Sequence, residues 1–156
     1  MKLNNYKLSL LSWGILIFLG YILQLVIRTP ETVILTWTAV TALALFIQIF
    51  LTWSSDRKTM LLQIIWIFIC VLGGILTYFL WFNIFSVSIH INAFWMILLA
   101  SGMCVTAFTT RVKKYFFFTV IYAIAAIIFQ FTDISDSLIL AGGLIGALCV
   151  VDAFIE

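Results

Sequence analysis

Apolar residues run along this chain in blocks of similar length, and charged residues stand between the blocks. Residues 8–27 form the first block, closed by Arg28, Thr29, Pro30 and Glu31. Residues 33–53 form the second, closed by Asp56, Arg57 and Lys58. A run of 52 residues without formal charge, 59–110, follows. A membrane-crossing helix takes about 20 apolar residues. The long run therefore reads as two spans around a polar break at 83–92, which holds Ser86, Ser88 and His90. The pattern predicts six helices at about 8–27, 33–53, 60–82, 89–108, 115–131 and 137–154. In lipid every backbone N–H and C=O must be paired within its own segment, so a helix is the form such spans take. No alternation suggests a barrel. The expected fold is all-α: one polytopic transmembrane domain over 1–156, its six helices arranged as three antiparallel hairpins.

Composition sharpens this expectation. Of 156 residues, 65% are hydrophobic and 9% are charged, and the mean hydropathy is +1.27. Soluble domains are about a quarter charged, so a water-soluble globule is excluded. The first block is longer than the roughly 7–15 apolar residues of a signal peptide, and no small-x-small cleavage site follows it. It reads as a retained signal anchor.

Charge sets the orientation. Six spans place the N-terminus, the 54–59 and 109–114 loops and the C-terminus on one side. That side holds Lys2, Lys7, Arg57, Lys58, Arg111, Lys113 and Lys114, whereas Arg28 stands alone on the other. The asymmetry predicts a multi-pass protein of the cell membrane with both termini in the cytoplasm. The same basic rim would favour anionic lipid headgroups, although orientation alone accounts for it. The net charge of +2 gives no reason to expect nucleic acid.

The chain also matches itself. Thr52 to Arg57 lies against Thr106 to Arg111 at an offset of 54, and Lys7, Lys58 and Lys113 open the first, third and fifth blocks. Cys104 to Phe108 resembles Cys149 to Phe154 with one residue inserted. Ile27-Arg28-Thr29-Pro30-Glu31, followed by a helix rich in Ala and Thr, resembles the outer turn of a hairpin in the HdeD/DUF308 family. Those are small six-helix membrane proteins built from three such hairpins and associated with acid stress in enterobacteria. The resemblance implies the same plan and a stress-related role. The turns at 83–88 and 132–136 depart from it by lacking the Pro.

Candidate chemistry is sparse. No nucleophile has a base at a useful spacing, no paired carboxylates lie within a span, and no phosphate loop is present. No catalytic, cofactor or metal site is expected. Asp152 stands five residues from the end and reads either as a proton or cation site or as an interfacial carboxylate. Asp136 suits the N-cap of the sixth helix, and Asp133 flanks the same turn. His90 is the single histidine. Its unperturbed pKa of about 6.5 makes it a candidate pH sensor, the alternative being a satisfied polar residue at the interface. Cys70, Cys104 and Cys149 fall within spans without a CxxC spacing and read as small buried residues. Gln24, Gln48, Gln63 and Gln130 are the amides of interest. They could line a path for a small neutral solute, or bond across helices as glue.

Small residues point to close contact. Gly142, Gly143 and Gly146 crowd the sixth span, where the Gly142–Gly146 spacing lets a second backbone approach. Gly73 and Gly74 of the third span are the expected mates. Trp13, Trp53 and Trp66 lie toward the inner side and Trp37, Trp81 and Trp95 toward the outer, as an aromatic belt would place them. The sequence thus points to a non-enzymatic integral membrane protein. Its expected role is an accessory or stress-associated subunit acting through helix packing, with the bilayer, other membrane subunits or further copies of itself as partners. The alternative is a channel or carrier subunit for a small neutral solute.

Overall fold

The computed structural model describes residues 5–26, 29–52, 57–81, 90–132 and 134–154. Over these the chain is all-α, with helices α1 (Asn5–Val26), α2 (Pro30–Thr52), α3 (Arg57–Trp81), α4 (Ile91–Thr110), α5 (Lys113–Gln130) and α6 (Ile134–Phe154). Each helix falls on one apolar block of the sequence. Five are long and apolar enough to cross a membrane, and α6 contains a shorter apolar run, Leu140–Phe154. Arg28, Trp53, the break at 83–88 and Asp133 lie outside the described residues.

The helix starts differ from expectation by two or three residues, and two of them bear on local chemistry. α2 begins at Pro30, not at 33. Proline suits the first helical position because its missing N–H would have no helical acceptor there. The Thr32 hydroxyl donates to the Thr29 carbonyl at 2.8 Å and ties this entry together. α6 begins at Ile134, so Asp136 is not the expected cap. It is the third residue of the helix.

Two compact units share the chain: residues 1–60 with 138–156, and residues 61–137. The first unit holds α1, α2 and most of α6. Within it α1 packs against α2, and α6 lies against α1 at Gly14 and Tyr21. The second unit holds most of α3, with α4 and α5. Here α4 packs against α5, and α3 meets α4 at Gly73 and Gly102. α5 and α6 belong largely to different units. The α4–α5 turn takes two residues. Arg111 adopts the left-handed conformation (φ 60°, ψ 24°), its N–H returns to the Ala107 carbonyl at 2.8 Å, and the chain re-enters helix at Lys113.

What fills the interior explains the close packing. Ala44, Ala93, Ala107, Ala141 and Ala153 are buried, together with larger side chains such as Tyr21, Met96, Tyr115, Phe118, Tyr122 and Phe129. Many large apolar side chains nevertheless point outward: Phe50 is 78% exposed and Phe131 86%. A soluble protein keeps its largest apolar groups inside, because water drives them there. Alanines at the helix contacts and so many large apolar groups outside suit helices whose surroundings are already apolar.

Candidate functional site

The polar side chains of the first unit are joined across the α1–α2 interface. The Trp13 indole N–H donates to Gln48 Oε1 at 2.6 Å. The Trp37 indole N–H donates to Gln24 Oε1 at 2.7 Å. The two bonds are reciprocal. On each helix the Trp precedes the Gln by 11 residues, which is three helical turns and about 16 Å of rise. Trp and Gln therefore share one face. When a second helix with the same spacing runs antiparallel, each Trp meets the other helix's Gln. A one-residue slip would rotate both pairs out of register by about 100°, so the locks fix register as well as contact.

A second reciprocal device joins α3 to α4. A Cβ added at Gly102 would lie 2.7 Å from Trp66 Cη2 and 3.0 Å from Ile69 Cδ1. One added at Gly73 would lie 2.8 Å from Trp95 Cη2 and 2.8 Å from Leu98 Cδ1. Each Trp ring thus fills the notch of a Gly seven residues along the facing helix's own Trp motif. The Trp66 indole also donates to Thr106 Oγ1 at 3.2 Å, and that hydroxyl donates to the Gly102 carbonyl at 2.8 Å. In the first unit Gly20 receives the Trp37 ring at 3.3 Å and Val40 at 3.4 Å. Trp13-Leu16-Gly20, Trp37-Val40-Ala44, Trp66-Ile69-Gly73 and Trp95-Leu98-Gly102 are four copies of one pattern.

These positions give the tryptophans a packing role beside the expected belt. Trp13, Trp37, Trp66 and Trp95 are half-buried against neighbouring helices. A belt assigns each ring by its depth along the helix axis. What decides here is the direction around the axis, which puts each ring over a small residue of the adjacent helix.

Gly142 and Gly146 of α6 face α1. A Cβ at Gly142 would lie 2.8 Å from Tyr21 Cβ, and the ideal Cβ of Gly146 lies 3.7 Å from the Gly14 carbonyl. The partner of Gly142 is therefore a tyrosine, itself edge-on to Trp37 with ring centroids 4.7 Å apart. Gly73 finds its neighbours on α4. Gly74 and Gly143 have nothing within 4 Å of an added Cβ.

The remaining candidates separate. Gln63 is buried on α3. Gln130, at the end of α5, accepts the His90 backbone N–H through its Oε1 at 3.1 Å. His90 precedes α4, with both ring nitrogens shielded and neither hydrogen-bonded among the described residues. Burial lowers its pKa, because desolvation disfavours the charged ring. Gln130 also lines a groove of about 400 Å³ between α4 and α5, apolar apart from itself and Ser101. Asp152 is buried in the last turn of α6, 3% exposed. Gln24 and Gln48 sit at opposite ends of one hairpin, each bonded to an indole. Their indole partners are not evident from the amides alone. The signal that would have paired them is the shared 11-residue spacing. No family model, no curated protein and no solved structure matches this chain.

Proposed function

We propose that this chain is a non-enzymatic integral membrane protein that crosses the cell membrane six times as three hairpins, with both ends in the cytoplasm. It acts as an accessory subunit whose work is helix packing with membrane partners. The observation that carries this reading is the reciprocal Trp13–Gln48 and Trp37–Gln24 pairing. A carrier needs polar groups converging on a cavity. Here two of the four amides that could line a path accept indole N–H groups across a helix interface, and a third accepts a backbone N–H. The apolar exterior supports the same reading, since outward Phe, Ile and Leu demand lipid or another helix. The resemblance of the 27–31 turn to the HdeD/DUF308 hairpin adds a stress-associated setting to the proposal.

Extraction of the full chain in mild detergent, followed by mass spectrometry of what remains bound, tests this function. An accessory role predicts a membrane protein, or a further copy of this chain, retained in fixed ratio. A lone chain that transports a neutral solute on reconstitution would replace it with the carrier reading, which would draw on the α4–α5 groove and Gln130.

A further inference from the structure

The α4–α5 turn concentrates positive charge within a long stretch of sequence that has no acids. Arg111, Lys113 and Lys114 occupy three of four consecutive positions, and residues 57–132 contain no Asp or Glu at all. The nearest acids along the chain, Asp56 and Asp133, border that stretch. Arg57 and Lys58 differ in this respect, because Asp56 adjoins them.

The structure holds these cations in a fixed place. The connection is two residues long, between two helices packed against each other. Arg111 and Lys113 are exposed, and the Lys114 ammonium lies 5.4 Å from the Tyr115 ring centroid, a cation–π geometry. Directly beyond the turn, Phe108 and Phe116 meet edge to face with centroids 5.2 Å apart. Phe108, Phe116 and Phe117 are all exposed. A band of outward aromatic rings is thus followed, within one helical turn, by a cluster of cations. That sequence of chemistries along the helix axis matches a phospholipid: apolar chain first, phosphate above it.

Arg111 adds a separate indication. It is the one non-glycine residue with positive φ among the described residues. The left-handed conformation is strained for a residue with a Cβ, and glycine commonly occupies such a helix end. A cation stands where the backbone alone would favour glycine.

We infer that the α4–α5 tip is a docking surface for anionic phospholipid headgroups of the cytoplasmic leaflet, with Arg111 and Lys113 meeting the phosphate and Phe108, Phe116 and Phe117 lying along the acyl chain. The leaflet rests on the topology proposed above. The headgroup chemistry does not.

Thermal unfolding of the full chain in mixed micelles tests the surface. Phosphatidylglycerol is titrated into phosphatidylcholine, with phosphatidylcholine alone and soluble glycerol phosphate as separate arms. Phosphatidylglycerol should raise the melting temperature of the wild type, and the other two should not. Arg111→Gly combined with Lys113→Gln should raise the phosphatidylglycerol needed for half the effect about thirtyfold, by the usual contribution of two basic residues near an anionic surface. Arg111→Gly relieves the backbone, so the variant should melt no lower than wild type in phosphatidylcholine, which separates lost binding from lost folding. An unchanged phosphatidylglycerol response in the double variant would overturn the proposal. So would an equal effect of phosphatidylcholine, or a full effect of glycerol phosphate, which would indicate a free phosphate-ester site. Micelles have no sides, so this result is independent of topology. A C-terminal reporter read outside the cell would overturn the cytoplasmic leaflet alone.

Discussion

The indole of Trp13 and the amide of Gln48 meet across the α1–α2 interface at 2.6 Å, 35 residues apart in sequence. The reverse pair, Trp37 and Gln24, closes at 2.7 Å. Each is a donor and an acceptor removed from an apolar setting by satisfying the other, since an amide left alone there would cost several kcal/mol. A double-mutant cycle of Trp13→Phe and Gln48→Leu should give a coupling of about 0.6 kcal/mol, the usual worth of an interhelical hydrogen bond in a membrane protein. Unfolding by denaturing detergent is the measurement. Trp13→Phe with Gln24→Leu, three turns apart on one helix, should be additive. No coupling between Trp13 and Gln48 would mean that the hairpin register is wrong.

Glycine substitutions should divide by face. Gly102→Ala and Gly73→Ala push a methyl into a Trp ring at 2.7 and 2.8 Å. Each should destabilise by roughly 1–3 kcal/mol, the usual cost of overpacking. Gly74→Ala and Gly143→Ala meet nothing within 4 Å and should be neutral or stabilising, because alanine favours helix by about 1 kcal/mol over glycine. At Gly146 the nearest atoms are 3.7 Å away, so Ala should fit and Leu should not, while Leu144→Ala should do less damage than Gly146→Leu. Melting temperatures in detergent decide the ranking. Equal losses at Gly73 and Gly74 would contradict the notch.

Acid should weaken the fold through His90. Burial lowers its pKa in the folded state, so the unfolded chain binds the proton first. Stability is then unaffected above the ordinary histidine value of about 6.5. It falls as pH drops below that value, until the folded ring also protonates. Unfolding measured from pH 7.5 downward should show this loss in wild type. His90→Gln, which keeps a polar group but does not titrate, should remove it. A stability that rises on acidification would reverse the sign and place an acidic partner beside the ring.

The six helices were legible from Arg28, Glu31, Asp56, Arg57, Arg111, Lys113, Asp133 and Asp136, because a charge within lipid is costly and so marks where a span stops, and from the uncharged polar break at 83–92 that divides the 59–110 run. Boundaries were less so. Pro30 and Ile134 each start a helix three residues before the hydropathy rises, at Pro30 for a reason of backbone chemistry that hydropathy does not encode. The interfaces were only half legible. Gly142 and Gly146 promised close approach, and α1 supplies it through Gly14 and Tyr21. A small residue asks for contact without naming the partner, and a tyrosine ring fits as well as another glycine. The Trp–Gln locks were present in the sequence as two 11-residue spacings. Read as depth along an axis, those tryptophans suggested a belt. Read around the axis, they mark the faces that meet.

The central claim is that polar side chains here hold helices together and do not conduct. Its most direct measurement is flux through the purified full chain in liposomes, with a pH-sensitive dye inside and an imposed proton gradient. No proton flux above that of empty vesicles is predicted for wild type, for Asp152→Asn or for Gln48→Leu. Flux in wild type that Asp152→Asn abolishes would contradict the account and make the buried carboxylate of α6 a proton site.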